Sequence, residues 1–429
     1  MTMTATRQQA AQAFLKQGVP NKRTEEYRYT PVEHFFKANE TLGQLQSLAE
    51  GNLLTSSNDH SNEPGQETIQ TIAQLSSSII ASDPGATQIT LFNGKVLAGQ
   101  TSIAKDNHQI IALKSDSQPI FDQKKLSSAD PFLAINWALF TDAIDIHIPS
   151  HFQSDSPIYI HQIYQTQSGV FVNPNVNIYV HAHAKVTFID RRIDQPTVET
   201  PFVINHSTNI TLEQGAHVVL YKIQNDLKCS LVDTVEVHQS ENSHFEILTL
   251  NCNSNWIRNT LNITVAGQHC NTVLKGLTVA QAEQFVDNHT LVDHQQPHCE
   301  SNQLYKTILT NKATGVFNGK IFVRRDAQKI NAFQSSKNNV LSDEATMNTK
   351  PQLEIYADDV KCSHGSTTGQ LDEEALFYLQ SRGLGLESAK GLLLEAFAAD
   401  ILQSIQIEAL RELQLNELAG LLKTLAYHA

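Results

Sequence analysis

A thiol and an imidazole stand two positions apart in this sequence, at Cys362 and His364. Side chains of an extended chain alternate between its two faces, so these two side chains point to the same side. Cysteine sulfur and imidazole nitrogen are both ligands of transition metals such as iron. The pair is therefore a candidate site for a metal or sulfur species, although the spacing alone leaves a purely structural role open.

The segments on either side of this pair have different periodicities. Leu353, Ile355 and Tyr356 form a short apolar run that is typical of a β-strand. Beyond Gly369 the apolar residues recur at helical spacing, and acidic residues occupy positions 372–374, where the dipole of a helix N-terminus favours anions. We therefore expect the Cys-x-His pair to lie between a strand and a helix.

The whole stretch from Leu353 to Gly383, LEIYADDVKCSHGSTTGQLDEEALFYLQSRG, closely resembles the SufB/SufD family of scaffold proteins of the SUF iron–sulfur cluster assembly system. The match is to the SufD branch, because SufB proteins carry a sulfur-accepting cysteine in the preceding turn and Ala345 stands in its place here. The resemblance implies a non-catalytic subunit of a SufB–SufC–SufD complex. Such a subunit would support cluster assembly, with iron acquisition as a further role left open.

The resemblance also implies partners and site residues. His364 and Cys362 become candidate ligands of iron, or of a transient iron–sulfur cluster, at the interface with a SufB-like subunit. His364 ranks first because both branches of the family have an imidazole at this position. Cys362 would act as a thiolate only if a neighbour such as Lys361 lowered the pKa of the thiol.

The composition limits the classes of function. The chain has 31 basic and 44 acidic side chains and a formal net charge of −13, which argues against nucleic-acid binding. It contains no Gly-rich phosphate loop, so we expect no ATP site here and ATPase activity in the partner SufC. The five cysteines lack CxxC spacing, which argues against a disulfide framework and favours a cytoplasmic location. The N-terminus lacks the long apolar core of a secretory signal. No apolar run approaches the roughly 20 residues that are needed to span a bilayer.

A faint, irregular repeat runs through the strand-rich middle of the chain. Similar short segments begin near His217, His244, Cys270 and Glu300, in steps of 27, 26 and 30 residues. A stacked β-solenoid explains this pattern at least as well as a sandwich or barrel. The family resemblance implies a mainly β fold, a right-handed parallel β-helix core flanked by N-terminal and C-terminal helical regions.

Three regions follow from these patterns. Residues 1–85 are expected to form an N-terminal helical region with a flexible loop at 56–65, residues 86–370 the β-helix core, and residues 371–429 a C-terminal helical domain that docks the ATPase subunit. Leu393, Phe397 and Ile401 lie on the apolar side of a helix predicted from about Glu387 to Ile405, and they are candidate contacts for SufC.

The end of the predicted solenoid suggests how subunits pair. Unpaired strand edges near residues 338–359 would join the SufB-like subunit, or a second copy of this chain when it is isolated. A carbohydrate-binding or carbohydrate-active solenoid is the alternative function. It would require paired carboxylates and aromatic residues along a groove, whereas acids on the strands are sparse and Trp137 and Trp256 are the two tryptophans.

Other residues with polar or aromatic side chains are expected to serve structure. The segment Arg23 to Thr30 resembles an element near the N-terminus of the family, and Tyr27 and Tyr29 should anchor a helical cap. Gln328, Asn331 and Gln334 should stack between coils. We expect His181 and His183 to share one face of a strand, in a ladder rather than a metal site, and Asn93-Gly94 to form a hairpin turn.

Overall fold

The computed structural model describes residues 3–36, 41–52, 70, 86–97, 101, 112–117, 130–140, 143–154, 156–165, 171–194 and 202–428. The predicted loop at 56–65 lies outside the described residues. Among the described residues, every helix is too short or too polar to cross a membrane.

The described strands are mostly about ten residues long in the middle of the chain. Their bounds are β1 Thr87–Phe92, β2 Lys95–Val96, β3 Ala112–Ser117, β4 Ala143–Ile148, β5 Ile158–Tyr164, β6 Phe171–Val172, β7 Asn175–Val180, β8 Lys185–Asp194, β9 Val203–Leu212, β10 His217–Ile223, β11 Ser230–Gln239, β12 His244–Cys252, β13 Trp256–Val265, β14 Asn271–Ala280, β15 Phe285–His294, β16 Glu300–Leu309, β17 Thr314–Val323, β18 Ile330–Val340, β19 Thr346–Ile355 and β20 Val360–Gly369.

These strands form two sheets of ten strands each, which face each other. One sheet has the order β2-β1-β5-β8-β10-β12-β14-β16-β18-β20, and the other has the order β19-β17-β15-β13-β11-β9-β7-β4-β3, with β6 beside β9. From β7 onward the chain alternates between the sheets, and consecutive strands within each sheet are parallel. Each coil thus adds one strand to each sheet, which makes a β-solenoid of about 7 turns and confirms the predicted β-helix.

The register of the coils confirms the predicted repeat of similar segments. One vertical column of paired residues runs through six coils, namely His217, His244, Asn271, Glu300, Asn331 and Lys361. Its third member is one residue away from the predicted Cys270. Coils of 27 to 31 residues therefore stack in register along most of the solenoid.

The interior of the solenoid is filled by alternate side chains of both sheets. Leu220, Ile247 and Leu274 come from one sheet, and Val235 and Ile263 come from the other, all within one buried cluster. Each coil alone would leave these side chains in water, so burial of the apolar residues holds neighbouring coils together.

Among the described residues, three helices and two short 3₁₀ turns pack against outward side chains of β6, β9, β11 and β13: α1 Met3–Gln17, α2 Thr41–Ala49, α3 Pro131–Leu139, Glu25–Tyr27 and Glu33–Phe36. Tyr27 is buried, its hydroxyl donates to Asp130 Oδ2 at 2.6 Å, and the Arg258 guanidinium lies 4.0 Å from its ring centroid. Tyr29 is 42% exposed. Tyr27 therefore anchors the helical cap as predicted, whereas Tyr29 does not.

Three further helices follow the last strand: α4 Glu373–Ser381, α5 Leu386–Leu402 and α6 Glu408–His428. The inner side of α5, with Leu394 and Ala398, packs with α6 against outward side chains of the solenoid such as Leu277 and Ile308. The helix predicted from Glu387 to Ile405 is thus confirmed within a few residues. α4 has no buried residue.

Two turns test the predictions at single residues. Asn93 and Gly94 join β1 to β2 with positive φ angles of 48° and 88°, which confirms the hairpin. The placement of His181 and His183 on a strand is wrong, because β7 ends at Val180 and the chain turns there, with φ 59° at His183. Their rings nevertheless stack on those of the preceding coil, His181 on His147 at 5.7 Å, as a ladder would.

Candidate functional site

Cys362 and His364 lie on β20, the last strand of its sheet. Cys362 is in register with Ala332 of β18, and His364 is in register with Gln334. Ala332 and Gln334 are buried inside the solenoid. The thiol and the imidazole therefore share the face of β20 that looks into the lumen, which agrees with the alternation of a strand.

This end of the lumen is open because β20 belongs to the last coil. Cys362 is half-buried and packs against the apolar core, whereas His364 is exposed. The imidazole thus remains accessible at the mouth of the solenoid, while the thiol lies deeper.

The condition for a thiolate at Cys362, a pKa lowered by a neighbour such as Lys361, is not met in the structure. Adjacent residues of a strand point to opposite faces, so the Lys361 side chain lies on the outer surface. Burial instead raises the pKa of the Cys362 thiol above its ordinary value. The neutral thiol is therefore favoured at this position.

The opposite wall of the mouth is β19. Its residues Met347 and Leu353 pack against the same core as Cys362. Ala345 lies in the turn before β19 and packs, with a methyl group in place of a thiol, against a second buried cluster that includes Leu309 and Ala313. The segment from Ala345 to Ile355 thus provides apolar contacts and contains no cysteine.

The mouth is bordered by two strand edges. β20 has β18 on one side, β19 has β17 on one side, and neither has a second neighbour among the described strands. Exposed aromatic side chains lie close in sequence, with Tyr356 60% exposed and Phe377 on α4 74% exposed. Unpaired strand edges beside exposed apolar surface are features that proteins usually cover by pairing.

The transition from β20 to α4 is fixed by a helix cap. The side chain of Asp372 accepts hydrogen bonds from the backbone N–H groups of Glu374 at 2.9 Å and Ala375 at 3.1 Å. An acidic residue at this position satisfies free N–H groups and complements the helix dipole. The chain therefore leaves the solenoid immediately after the coil that carries the thiol and the imidazole.

The two side chains make only part of a metal site. Among the described residues, no group of three or more His, Cys, Asp or Glu side chains lies close enough together to hold a metal ion. Cys362 and His364 supply at most one sulfur and one nitrogen. Their chemistry fits iron, but the remaining ligands of an iron centre would have to come from another molecule.

Cys229, Cys252, Cys270 and Cys299 are buried, and all are free thiols, as is Cys362. Burial raises the pKa of Cys252 to about 12. These four thiols form no disulfide, which agrees with the spacing of the cysteines in the sequence.

The three candidate contacts on α5 have different environments. Leu393 is partly buried, Phe397 packs against the solenoid with Lys306 Nζ 4.7 Å from its ring centroid, and Ile401 is fully buried. Lys306 also donates to the Phe397 carbonyl oxygen at 2.6 Å. A partner could reach Ile401 only if the helix left the solenoid, whereas Leu392 on the outer side of α5 is 46% exposed.

The predicted polar stacking between coils is confirmed. Asn331 donates to Glu300 of the preceding coil, and Gln328 accepts from the backbone N–H of Asp359 in the next coil. Gln334 Nε2 donates to Gln303 Oε1 at 3.2 Å inside the lumen. Gln303 therefore binds the side chain that lies beneath His364. The sequence did not single out Gln303, although the alternation of β16 places its side chain on the inward face.

Comparison with known proteins adds family membership to this geometry. The family model described as "SUF system FeS cluster assembly, SufBD core domain" matches residues 163–397, and the "SufBD protein N-terminal region" matches residues 1–50.

Several curated relatives align with the chain. An iron–sulfur cluster assembly SufBD family protein of Synechocystis is 33% identical over 272 residues, which cover 61% of this chain and 59% of that protein. The protein named SufD of Escherichia coli is 26% identical over 390 residues, 89% of this chain and 84% of that protein. Protein ABCI7, chloroplastic, of Arabidopsis thaliana is 28% identical over 272 residues, 61% of this chain and 57% of that protein.

The aligned part thus spans less than two thirds of the length of the Synechocystis and Arabidopsis relatives. The core family model, in contrast, covers more than half of this chain and includes every strand from β6 to β20, the whole of α4 and the first part of α5. The chain therefore belongs to the SufBD family of the SUF system for iron–sulfur cluster assembly.

Proposed function

We propose that this chain is the SufD-like, non-catalytic subunit of a cytoplasmic complex with a SufB-like subunit and a SufC-type ATPase. The observation that carries the proposal is the mouth of the solenoid, where two unpaired strand edges border a thiol and an exposed imidazole. Family membership favours this scaffold role over the alternative of a carbohydrate-active solenoid.

The edges of β19 and β20 are the proposed contact with the SufB-like subunit. Strand addition at these edges would pair their backbone groups and cover the exposed Tyr356. In the isolated chain, a second copy would take the same place, so sedimentation should show a dimer that the SufB-like subunit replaces. A chain that stays monomeric and fails to bind the SufB-like subunit would contradict this assignment of the edges.

Within such an interface, His364 is the proposed ligand of transferred iron. Its exposed imidazole can offer one unprotonated nitrogen, and the partner would complete the coordination that this chain leaves open. Ala345 means that sulfur must come from the partner. The half-buried, neutral thiol of Cys362 is the weaker candidate, consistent with its raised pKa.

Replacing His364 by alanine should leave the complex assembled but lower its affinity for Fe²⁺ at least on the order of tenfold, because a ligand is lost. The measurements are iron titration and the iron and sulfide content of the co-purified complex. Ser363→Ala is the matched control, since Ser363 is exposed on the same strand but points to the outer face. Cys362→Ser should have a milder effect.

A His364→Ala complex that retains full iron binding and cluster content would remove the ligand assignment. It would leave this chain an architectural subunit. Circular dichroism of the variant excludes misfolding as the cause of any loss, and the exposure of His364 makes a folding defect an unexpected result.

The outer side of α5 is the proposed contact for the ATPase subunit. Leu392→Asp places a charge on an exposed apolar position and should weaken capture of the SufC-type subunit without unfolding the cap. Leu413→Asp is the matched control, because this leucine of α6 is 40% exposed. Equal capture by both variants would contradict the assignment. Phe397→Asp is a less suitable test, since it would also damage the packing on Lys306.

A further inference from the structure

Gln334 lies directly beneath His364, one coil further into the lumen. Its side chain is 3% exposed, and its Nε2 donates to Gln303 Oε1 at 3.2 Å. The same oxygen of Gln303 accepts a hydrogen bond from Thr290 Oγ1 at 2.8 Å. Three inward side chains thus form a polar ladder that crosses the lumen and ends at the mouth.

The facing sheet also fixes the amide of Gln334. A Cβ atom at Gly319 of β17 would lie 2.0 Å from Gln334 Nε2 and 2.8 Å from its Cδ. A side chain at this position would have to displace the amide, which fills the space beside Gly319. Gly319 on one side and Gln303 on the other therefore restrict the orientation of Gln334.

One polar atom of this ladder remains without a partner. Gln334 Oε1 is buried and accepts no hydrogen bond from the described residues. A buried acceptor without a donor destabilises a protein, so it is usually matched when the site is complete. The next inward side chain along the same column is His364, whose neutral imidazole carries one N–H donor.

We propose that Gln334 is a positioning residue for His364. Its Oε1 accepts the N–H of one imidazole nitrogen and so leaves the other nitrogen unprotonated and directed towards the mouth, where it can bind iron. Hydrogen bonds of this kind select the tautomer and orientation of metal-binding histidines. The inference rests on the proposed function, because it assigns the tautomer that the proposed ligand needs.

The test is the tautomer of His364 in the full-length chain paired with the SufB-like subunit. The ¹⁵N chemical shifts of its imidazole are measured with labelled histidine in metal-free protein, at a pH where the ring is neutral. The signal is assigned by its loss in His364→Ala. We expect one dominant tautomer in the unchanged chain. Gln334→Leu removes the acceptor and should give a mixture of tautomers and on the order of tenfold weaker Fe²⁺ binding.

Two variants separate positioning from packing. Gln334→Glu keeps an acceptor oxygen and should restore the single tautomer, with Gln303 free to turn its unpartnered Nε2 towards the new carboxylate. Ser336→Ala is the matched control, since Ser336 is buried in the same inward row two residues away. It should change neither the tautomer nor Fe²⁺ binding. Gln334→Asn, which withdraws the oxygen, replaces the leucine variant if that variant does not fold.

An unchanged tautomer in folded Gln334→Leu or Gln334→Asn would overturn the positioning role, whatever iron binding shows. The proposed function fails by a different result, namely full iron binding by His364→Ala. A tautomer shift in Gln334→Leu together with unaffected iron binding by His364→Ala would support the hydrogen bond and reject His364 as the iron ligand.

Discussion

Replacing Asp233 by leucine should lower the free energy of unfolding by roughly 3–5 kcal/mol. The carboxylate is completely buried inside the solenoid. Its Oδ2 lies 3.0 Å from Arg192 Nη2 and 2.8 Å from Lys222 Nζ, and it accepts from Gln224 Nε2 at 2.6 Å. His206 Nδ1 lies 3.4 Å from the other carboxylate oxygen. The Asp233 carboxylate therefore forms ion pairs with two buried cations, Arg192 and Lys222.

The pKa values explain why this loss is large. Burial opposes ionisation of Asp233, but Arg192 and Lys222 together outweigh it and hold the pKa of the carboxyl well below its usual range. Burial lowers the pKa of Lys222 even with Asp233 present. Without the carboxylate, Asp190 remains as a partner of Arg192 at 3.1 Å, while Lys222 loses its nearest countercharge. An unpaired buried charge is the costly product of the substitution.

Urea unfolding followed by circular dichroism measures the effect. Adding Lys222→Met to Asp233→Leu should regain part of the lost stability, because the second change removes the unpaired ammonium group. A single Asp233→Leu variant within about 1 kcal/mol of the unchanged chain would contradict this account, since 1 kcal/mol lies within the effect of an ordinary substitution. Additive effects of the two changes would equally exclude a coupled pair.

The sequence could predict the coil stacking but could not predict this charged cluster. Each coil must bury apolar side chains in the same way, so the repeat that starts at His217 and His244 is visible in the sequence itself. Arg192, Lys222 and Asp233, in contrast, come from three different strands. Their proximity depends on the register of both sheets across the lumen, which no local spacing encodes.

The candidate site shows the same division. Strand alternation predicted the common face of Cys362 and His364, and the family motif pointed to their chemistry. The two side chains differ in exposure because β20 lies in the final coil and no further coil among the described residues covers it. The position of that final coil depends on where the chain leaves the solenoid. On α5, an apolar stripe looks the same whether it packs on the chain's own sheet or on a partner. Sequence periodicity therefore could not separate buried Ile401 from exposed Leu392.

Acidification should destabilise the fold steeply between pH 6.5 and about 4. Three buried imidazoles, His161, His206 and His294, have pKa values lowered to about 4, chiefly because burial disfavours the charged ring. In the unfolded chain they take up a proton near pH 6.5. Their contribution to stability is therefore complete above pH 6.5 and is lost as the pH falls towards 4, at about 1.4 kcal/mol per pH unit for each ring.

His161→Phe isolates one of these rings. His161 is 2% exposed and stacks on Tyr159 at 6.0 Å, and neither ring nitrogen has a hydrogen-bond partner among the described residues. Phenylalanine keeps an aromatic ring but takes up no proton in either state. Relative to the unchanged chain, the variant should therefore gain stability on acidification from pH 7.5 to 5, by about 2 kcal/mol.

Urea unfolding at a series of pH values measures this difference. Ser363→Ala is the matched control, because it changes an exposed side chain of the same fold that does not titrate in this range, and its stability should follow the pH dependence of the unchanged chain. A His161→Phe curve parallel to that of the unchanged chain would show that His161 binds its proton equally well in both states. Water would then have to reach the ring in the folded protein, and the outer face of the first coils would be less tightly covered than the burial of His161 indicates.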